Sequence, residues 1–183
     1  VNKDVLIPRF ETEYLCSKLK KYLLKYFSKK ISIADLGTGS GAISIYLKKE
    51  LNCNINAFDI SDNALNIAKQ NAKNNNVEIN FIKHDILTKI EGKYDCLVSN
   101  PPYIKKDEIL EDKVFKYEPH IALYADDNGL KFYKSIINYA KDVLNEKFII
   151  AFEIGYDEAN DIISLSSKQF PNAKIILEKD LNN

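Results

Sequence analysis

From Ile31 onward the chain alternates between short apolar runs and amphipathic stretches of helical length. ISIADL, residues 31–36, predicts a strand that ends in a glycine-rich turn, with a helix from about Ala42 to Lys49 behind it. INAFD, residues 55–59, predicts a second strand, followed by a helix from about Asn63 to Asn74 that turns Ala64, Ile67, Ala68 and Ala72 inward. INFIKHD (79–85) and YDCLVSN (94–100) predict a third and a fourth strand. After a long irregular stretch come a helix near Leu130–Asn145, the strand FIIAFEI (148–154), a helix near Glu158–Phe170 and the strand AKIILE (173–178). Upstream, VLIPR is extended, and a helix from about Glu11 to Phe27 carries Leu15, Leu19, Leu23 and Phe27 on one apolar face. Lys18, Lys21 and Lys25 lie off that face, as on a solvated helix surface. Strands alternating with helices of this length make βαβ units. The expected fold is therefore α/β, a mostly parallel doubly wound sheet, with residues 1–30 packing on a core of residues 31–183.

Composition narrows the functional classes. A chain of 183 residues, 45% hydrophobic, can bury a substantial single core. Lys and Arg total 26 and Asp and Glu total 26, so no net field favours nucleic acid or an anionic membrane. No run reaches the length of a membrane span and no signal-peptide pattern opens the sequence, which points to the cytoplasm. Cys16, Cys53 and Cys96 are odd in number and widely spaced, as expected of reduced thiols. With only His84 and His120 beside them, no metal site is expected. The sequence holds no Met and begins at Val1, so it is expected to be part of a longer chain.

Ligands on open parallel sheets bind beyond the carboxyl ends of the strands, and the chemically distinctive residues fall there. The first strand runs into Asp35-Leu-Gly37-Thr38-Gly39-Ser-Gly41, where glycines permit a sharp turn and close approach of a ligand to the backbone. Gly37, Gly39 and Ala42 also satisfy the dinucleotide fingerprint, so the turn alone is ambiguous. Asp59, followed by Ile60, ends the second strand and can accept from ribose hydroxyls under either reading. Asp35 tips the balance, because a carboxylate there is unfavourable beside a pyrophosphate but suits a ligand carrying an ammonium and a sulfonium. That describes S-adenosylmethionine. Asp85, at the end of the third strand, can accept from an adenine amino group.

The fourth strand ends in Asn100-Pro101-Pro102-Tyr103. Proline after Asn100 holds that residue extended. Both prolines lack an N–H, so carbonyls in the turn need not be consumed locally. The Asn100 side-chain carbonyl and the Pro101 main-chain carbonyl can then each accept one N–H of a planar NH₂ group, with Tyr103 stacked on its face. An amide nitrogen is a poor nucleophile, and fixing it in line with an activated methyl compensates for that.

DLGTGSG, FDIS and SNPPYI together resemble class I S-adenosylmethionine-dependent methyltransferases of Rossmann-like fold that act on planar NH₂ groups. VLIPRFETE (5–13) and YEPHIALYADDNGLKFY (117–133) are similar to the HemK/PrmC family, protein-(glutamine-N5) methyltransferases of peptide chain release factors. The resemblance implies that Gly37, Thr38, Gly39 and Gly41 wrap S-adenosylmethionine, with Asp59 on its ribose, Asp85 and Ile86 at its adenine, and Asp35, Ile60 and Asn100 also counted among the cofactor-binding residues. It also implies that Asn100, Pro101, Pro102 and Tyr103 hold a release-factor glutamine, with Pro8, Arg9 and Glu11 walling the pocket. The chain departs from the family at Phe10, where Pro is usual, and at His120, where Arg or Lys is common. Against the family pattern, the N-terminal helical domain and the last strand of the sheet, beyond DLNN, are both expected to fall outside residues 1–183.

Three other readings compete. A nucleic-acid N6-adenine or N2-guanine methyltransferase also uses N-P-P-Y, but such enzymes usually add a recognition domain and a basic surface. A nicotinamide-dependent oxidoreductase leaves both Asp35 and N-P-P-Y unexplained. A non-catalytic partner subunit would have little reason to keep both motifs intact.

Overall fold

The computed structural model describes residues 3–105, 119 and 122–179. His120 and most of the stretch following Lys105 lie outside the described residues, so the expectation for His120 is not addressed. Helix α1 (Phe10–Tyr26) leads into β1 (Ile31–Leu36), α2 (Ala42–Glu50), β2 (Cys53–Asp59), α3 (Asp62–Asn74), β3 (Asn80–Lys83) and β4 (Tyr94–Ser99). The two-residue strands β5 (Ile104–Lys105) and β6 (Tyr124–Ala125) follow, then α4 (Lys131–Val143), β7 (Leu144–Phe152) and α5 (Ala159–Gln169).

The main sheet is five-stranded in the order β3-β2-β1-β4-β7, and every pairing is parallel. Central position explains composition: β4 is buried along its whole length, and β1 at all but Ser32. A strand covered on both faces must be apolar throughout rather than alternating. Ile33 and Val98 point into one cluster with Cys16, Leu19 and Leu23 of α1 and Leu47 of α2. Leu36 and Leu97 point the other way, against Ile136, Tyr139, Ala140 and Val143 of α4. The sheet is thus sandwiched between helices, and the order reverses between β1 and β4, which leaves a crevice at their carboxyl ends.

Several boundaries and faces differ from the sequence expectation. The inward face of α1 is Thr12, Cys16, Leu19 and Leu23, rotated from the expected stripe, with Leu15 only partly buried. On α3, Leu65 is buried with Ala64, Ala68 and Ala72, whereas Ile67 is half-buried. Helix α4 stops at Val143, and Leu144 and Asn145 open β7 instead, because Leu144 pairs with Tyr94 across the sheet. The ladder of β5 with β6 was not expected from the local pattern.

AKIILE is not a strand. Residues 174–179 run without ladder pairing, and Ile175, Ile176 and Leu177 are 38–51% exposed. Side chains tie this segment to α1 rather than to the sheet: Tyr14 and Tyr22 donate to Glu178 at 3.2 and 3.0 Å, and Lys18 pairs with it at 2.5 Å. A β-prone sequence becomes a strand only where another edge meets its backbone groups. A wide groove lies between this segment and β7.

Candidate functional site

The carboxyl ends of β1, β2 and β4 converge on a cavity of about 360 Å³. Its first wall is the glycine turn after β1. Gly37 and Thr38 donate their amides to Phe58 O at 2.9 and 2.8 Å, which folds the turn over the end of β2. Gly39 has a φ of 55°, and a Cβ placed there would meet nothing within 4 Å, so the backbone is bared to the cavity. A side chain at that position would be strained and would fill the cradle.

Asp59 fastens this turn. Its Oδ2 accepts from Gly39 N and its Oδ1 from Ser61 N, both at 2.9 Å. Each oxygen retains a second lone pair, so the carboxylate can still accept from a ligand hydroxyl. Asp85 is fixed in the same manner, Oδ1 accepting from Leu87 N at 2.9 Å. Asp59, Ile60, Asp85 and Ile86 all line the cavity with Gly37, Thr38 and Gly39.

Asp35 and Gly41 do not line it. Asp35 lies behind the turn, fully buried, with Oδ2 accepting from Thr38 Oγ1 at 2.7 Å and Ser44 Oγ at 2.6 Å. Its Oδ1 has no hydrogen-bond partner among the described residues. Burial pushes the Asp35 carboxyl up to about 6, against the two hydroxyl bonds that lower it. A half-satisfied buried carboxylate favours a cation nearby, and its charge reaches the cavity only through the turn. Gly41 caps α2 and donates to Thr38 O at 2.9 Å, closing the turn.

The opposite wall comes from the end of β4. Asn100 and Pro102 line the cavity together with Pro8 and Thr12, and Pro101 is buried. Tyr103, Arg9 and Glu11 instead line the groove beside β7 and α1. The residues expected to hold one planar group are therefore divided between two adjoining surfaces joined at N-P-P-Y. Burial pushes the Tyr103 hydroxyl up to about 12, with Glu153 adding to the effect, so it remains protonated at neutral pH.

Two residues that meet beside this corner were missed in the sequence, Thr12 on the cavity side and Glu153 on the groove side. Thr12 is 7% exposed and reaches Glu153, whose carboxylate oxygen Oε2 accepts its hydroxyl at 2.7 Å. The spacing Thr12, Cys16, Leu19, Leu23 marked the inner face of a helix, and Glu153 was a charge inside an otherwise apolar strand. The three cysteines are free and buried, and burial raises the pKa of each. Among the described residues no group of His, Cys, Asp and Glu could hold a metal ion, and no helix is long and apolar enough to cross a membrane.

The profile of the family described as Methyltransferase small domain matches residues 12–116, more than half of the chain. The release factor glutamine methyltransferase of Streptococcus pneumoniae is 41% identical over 98% of this chain and 64% of its own length. That of Bacillus cereus is 39% identical over 100% of this chain and 67% of its own length. The chain thus spans about two thirds of the length of these relatives. Among solved structures, a ribosomal protein L11 methylase from Lactobacillus delbrueckii subsp. bulgaricus superposes with a TM-score of 0.66 at 23% identity, covering 88% of this chain and 69% of that one. A methyltransferase from Pyrococcus furiosus gives 0.61 at 19% identity, covering 84% and 71%. These two share the fold.

Proposed function

The chain belongs to the methyltransferase small domain family and to the release factor glutamine methyltransferases, and on that premise we propose that it methylates the side-chain amide nitrogen of a glutamine in a peptide chain release factor, with S-adenosylmethionine as methyl donor. The observation that carries this reading is a single cavity bounded by the glycine turn, Asp59 and Asp85 on one side and by Asn100 on the other. Such a cavity can hold a donor and a planar acceptor against each other.

S-adenosylmethionine supplies a methyl group made electrophilic by its sulfonium. Gly37, Thr38 and Gly39 cradle it with bared backbone, and Asp59 accepts from its ribose hydroxyls beside Ile60. Asp85 and Ile86 border the adenine. Asp35, behind the turn, offsets positive charge with Gly41 holding the turn shut. Asn100 Oδ1 accepts one N–H of the glutamine amide and the Pro101 carbonyl accepts the other. Pro102 and Pro8 wall the approach, Tyr103 backs the N-P-P-Y corner from the adjoining groove, and Arg9 and Glu11 border the entry of the release-factor loop from that same side. Held by two acceptors, the nitrogen would be aimed at the methyl group. The N–C bond forms as the S–C bond breaks, S-adenosylhomocysteine leaves as the neutral thioether, and one amide proton is lost to water, so no strong base is needed. The proposed partner puts the reaction in the cytoplasm, and the zero net charge gives no reason to expect direct nucleic-acid binding.

Methyl-labelled S-adenosylmethionine, offered with release factor, tRNA, DNA or no acceptor, tests this directly. Label is expected on a release-factor glutamine alone. Label on nucleic acid would replace the proposed substrate, and preferential binding of NADH would overturn the cofactor. Asp59→Ala is expected to weaken S-adenosylmethionine binding by about 1.5–3 kcal/mol, the range of a hydrogen bond to a charged group. Calorimetry giving an unchanged affinity would remove Asp59 from the site.

A further inference from the structure

Asn100 can serve as an acceptor only if its amide is held the right way round. Turned by half a rotation, it would present an NH₂ group to the substrate NH₂, donor against donor. Nothing in the N-P-P-Y sequence decides between the two orientations. The surroundings of Asn100 do.

In the pairing of β4 with β7, Ser99 stands opposite Phe152, so Asn100 and Glu153 are the next residues on neighbouring parallel strands. Glu153 N donates to Ser99 O at 3.1 Å, which keeps the two strand ends together beyond the ladder. Tyr133, fully buried, donates its hydroxyl to Glu153 O at 2.8 Å and fixes that backbone from the α4 side. Thr12, on the inner face of α1, lies over both residues. Its Oγ1 is 2.7 Å from Glu153 Oε2 and 3.3 Å from Asn100 Nδ2.

Counting protons sets the polarity. A threonine hydroxyl has one proton, and an ionised carboxylate can only accept, so that proton goes to Glu153. Thr12 Oγ1 is then left with lone pairs alone and must accept from Asn100. The Asn100 amide therefore turns its nitrogen to Thr12 and its oxygen away, on a residue that lines the cavity. We propose that Thr12 and Glu153 are positioning residues that lock the Asn100 amide with its oxygen toward the substrate nitrogen. This rests on the glutamine-methylation reading for the identity of that nitrogen, whereas the orientation of the amide does not.

Burial raises the Glu153 carboxyl above its ordinary value, and the Thr12 bond opposes this. The titratable groups acting on it are Glu11 and Arg9 at the start of α1, Cys16 one turn further along, Tyr103 after β4 and Tyr133 on α4. Protonation of Glu153 releases the constraint, because a carboxyl can donate to Thr12 as well as accept from it. Turnover is therefore expected to fall as pH drops through the raised Glu153 value, and to be retained above it.

The test uses Thr12→Val, which keeps volume and loses the hydroxyl, Thr12→Ser, which keeps the hydroxyl, and Glu153→Gln. Single-turnover methylation of a release-factor glutamine is followed across pH. Hydrogen exchange of the Asn100 side-chain NH₂ is followed by NMR in the free protein. Thr12→Val is expected to lower turnover about tenfold or more, as loss of orientation does. S-adenosylmethionine affinity should stay within a few fold, and the Asn100 NH₂ should exchange faster. Thr12→Ser should restore both. Glu153→Gln should lower turnover severalfold at neutral pH and flatten the acid limb. Unchanged Asn100 exchange in Thr12→Val, failure of serine to rescue, or an acid limb that persists in Glu153→Gln would overturn the proposal. A wild-type protein that methylates no release factor would defeat the functional reading instead, and the exchange measurement would still decide the amide orientation.

Discussion

Replacing Asn100 with alanine is expected to slow methyl transfer on the order of a hundredfold or more, the scale on which one preorganised partner is lost. Cofactor affinity should change far less, because the glycine turn, Asp59 and Asp85 hold their own backbone partners independently of Asn100. Asn100→Asp separates geometry from charge. It keeps an acceptor but places a second carboxylate near Thr12 and Glu153, and a negative charge close to the sulfonium. That charge stabilises the cationic ground state more than the charge-dispersed transition state. S-adenosylmethionine should therefore bind at least as tightly while turnover stays slow. Single-turnover rates and calorimetric titrations of all three proteins provide the check. A near-normal rate in Asn100→Ala would reduce N-P-P-Y to a stiff turn after a buried strand.

The second large effect is expected far along the chain, at Gly129. This residue has a φ of 85°, and a Cβ there would lie 2.4 Å from the main-chain oxygen of Tyr103 and 3.0 Å from Glu158 Oε1. Backbone cannot swing aside as a flexible side-chain end can. Gly129 sits in the turn between β6 and α4, while Ile104 N donates to Leu123 O at 3.0 Å, so the segment after N-P-P-Y is held against this turn. Gly129→Ala combines left-handed strain of about 1 kcal/mol or more with overpacking of about 1–3 kcal/mol. A loss of about 2–4 kcal/mol is therefore expected, a fall of roughly 5–15 °C in Tm for a chain of this size. Methyl transfer should fall as well, because the clash is relieved by displacing Tyr103. Denaturant unfolding and the same single-turnover assay measure both. A variant with wild-type Tm and rate would show that the loop does not depend on this contact.

What the sequence determined alone was local. The run ISIADL coincides with β1, and the apolar runs of β2 and β4 and the helices α2 and α3 fall close to their expected limits, because period and turn chemistry act within a few residues. The turn Gly37–Gly41 and the N-P-P-Y corner were legible for the same reason: glycine and proline constrain the backbone wherever they stand. Tertiary structure decided everything that depended on a neighbour distant in the chain. AKIILE has strand composition yet no pairing, since a ladder needs an edge. Asp35 reads as a ligand residue and lies behind the turn, because β1 is central and its last residues are covered on both faces. Tyr103 and Asn100 are three residues apart and face different hollows. The contact that sets the Asn100 amide joins Thr12 to Glu153 across 141 positions, through the parallel register of β4 and β7 and the docking of α1. No local pattern encodes that meeting, because it exists only once the sheet order has brought the two strand ends side by side.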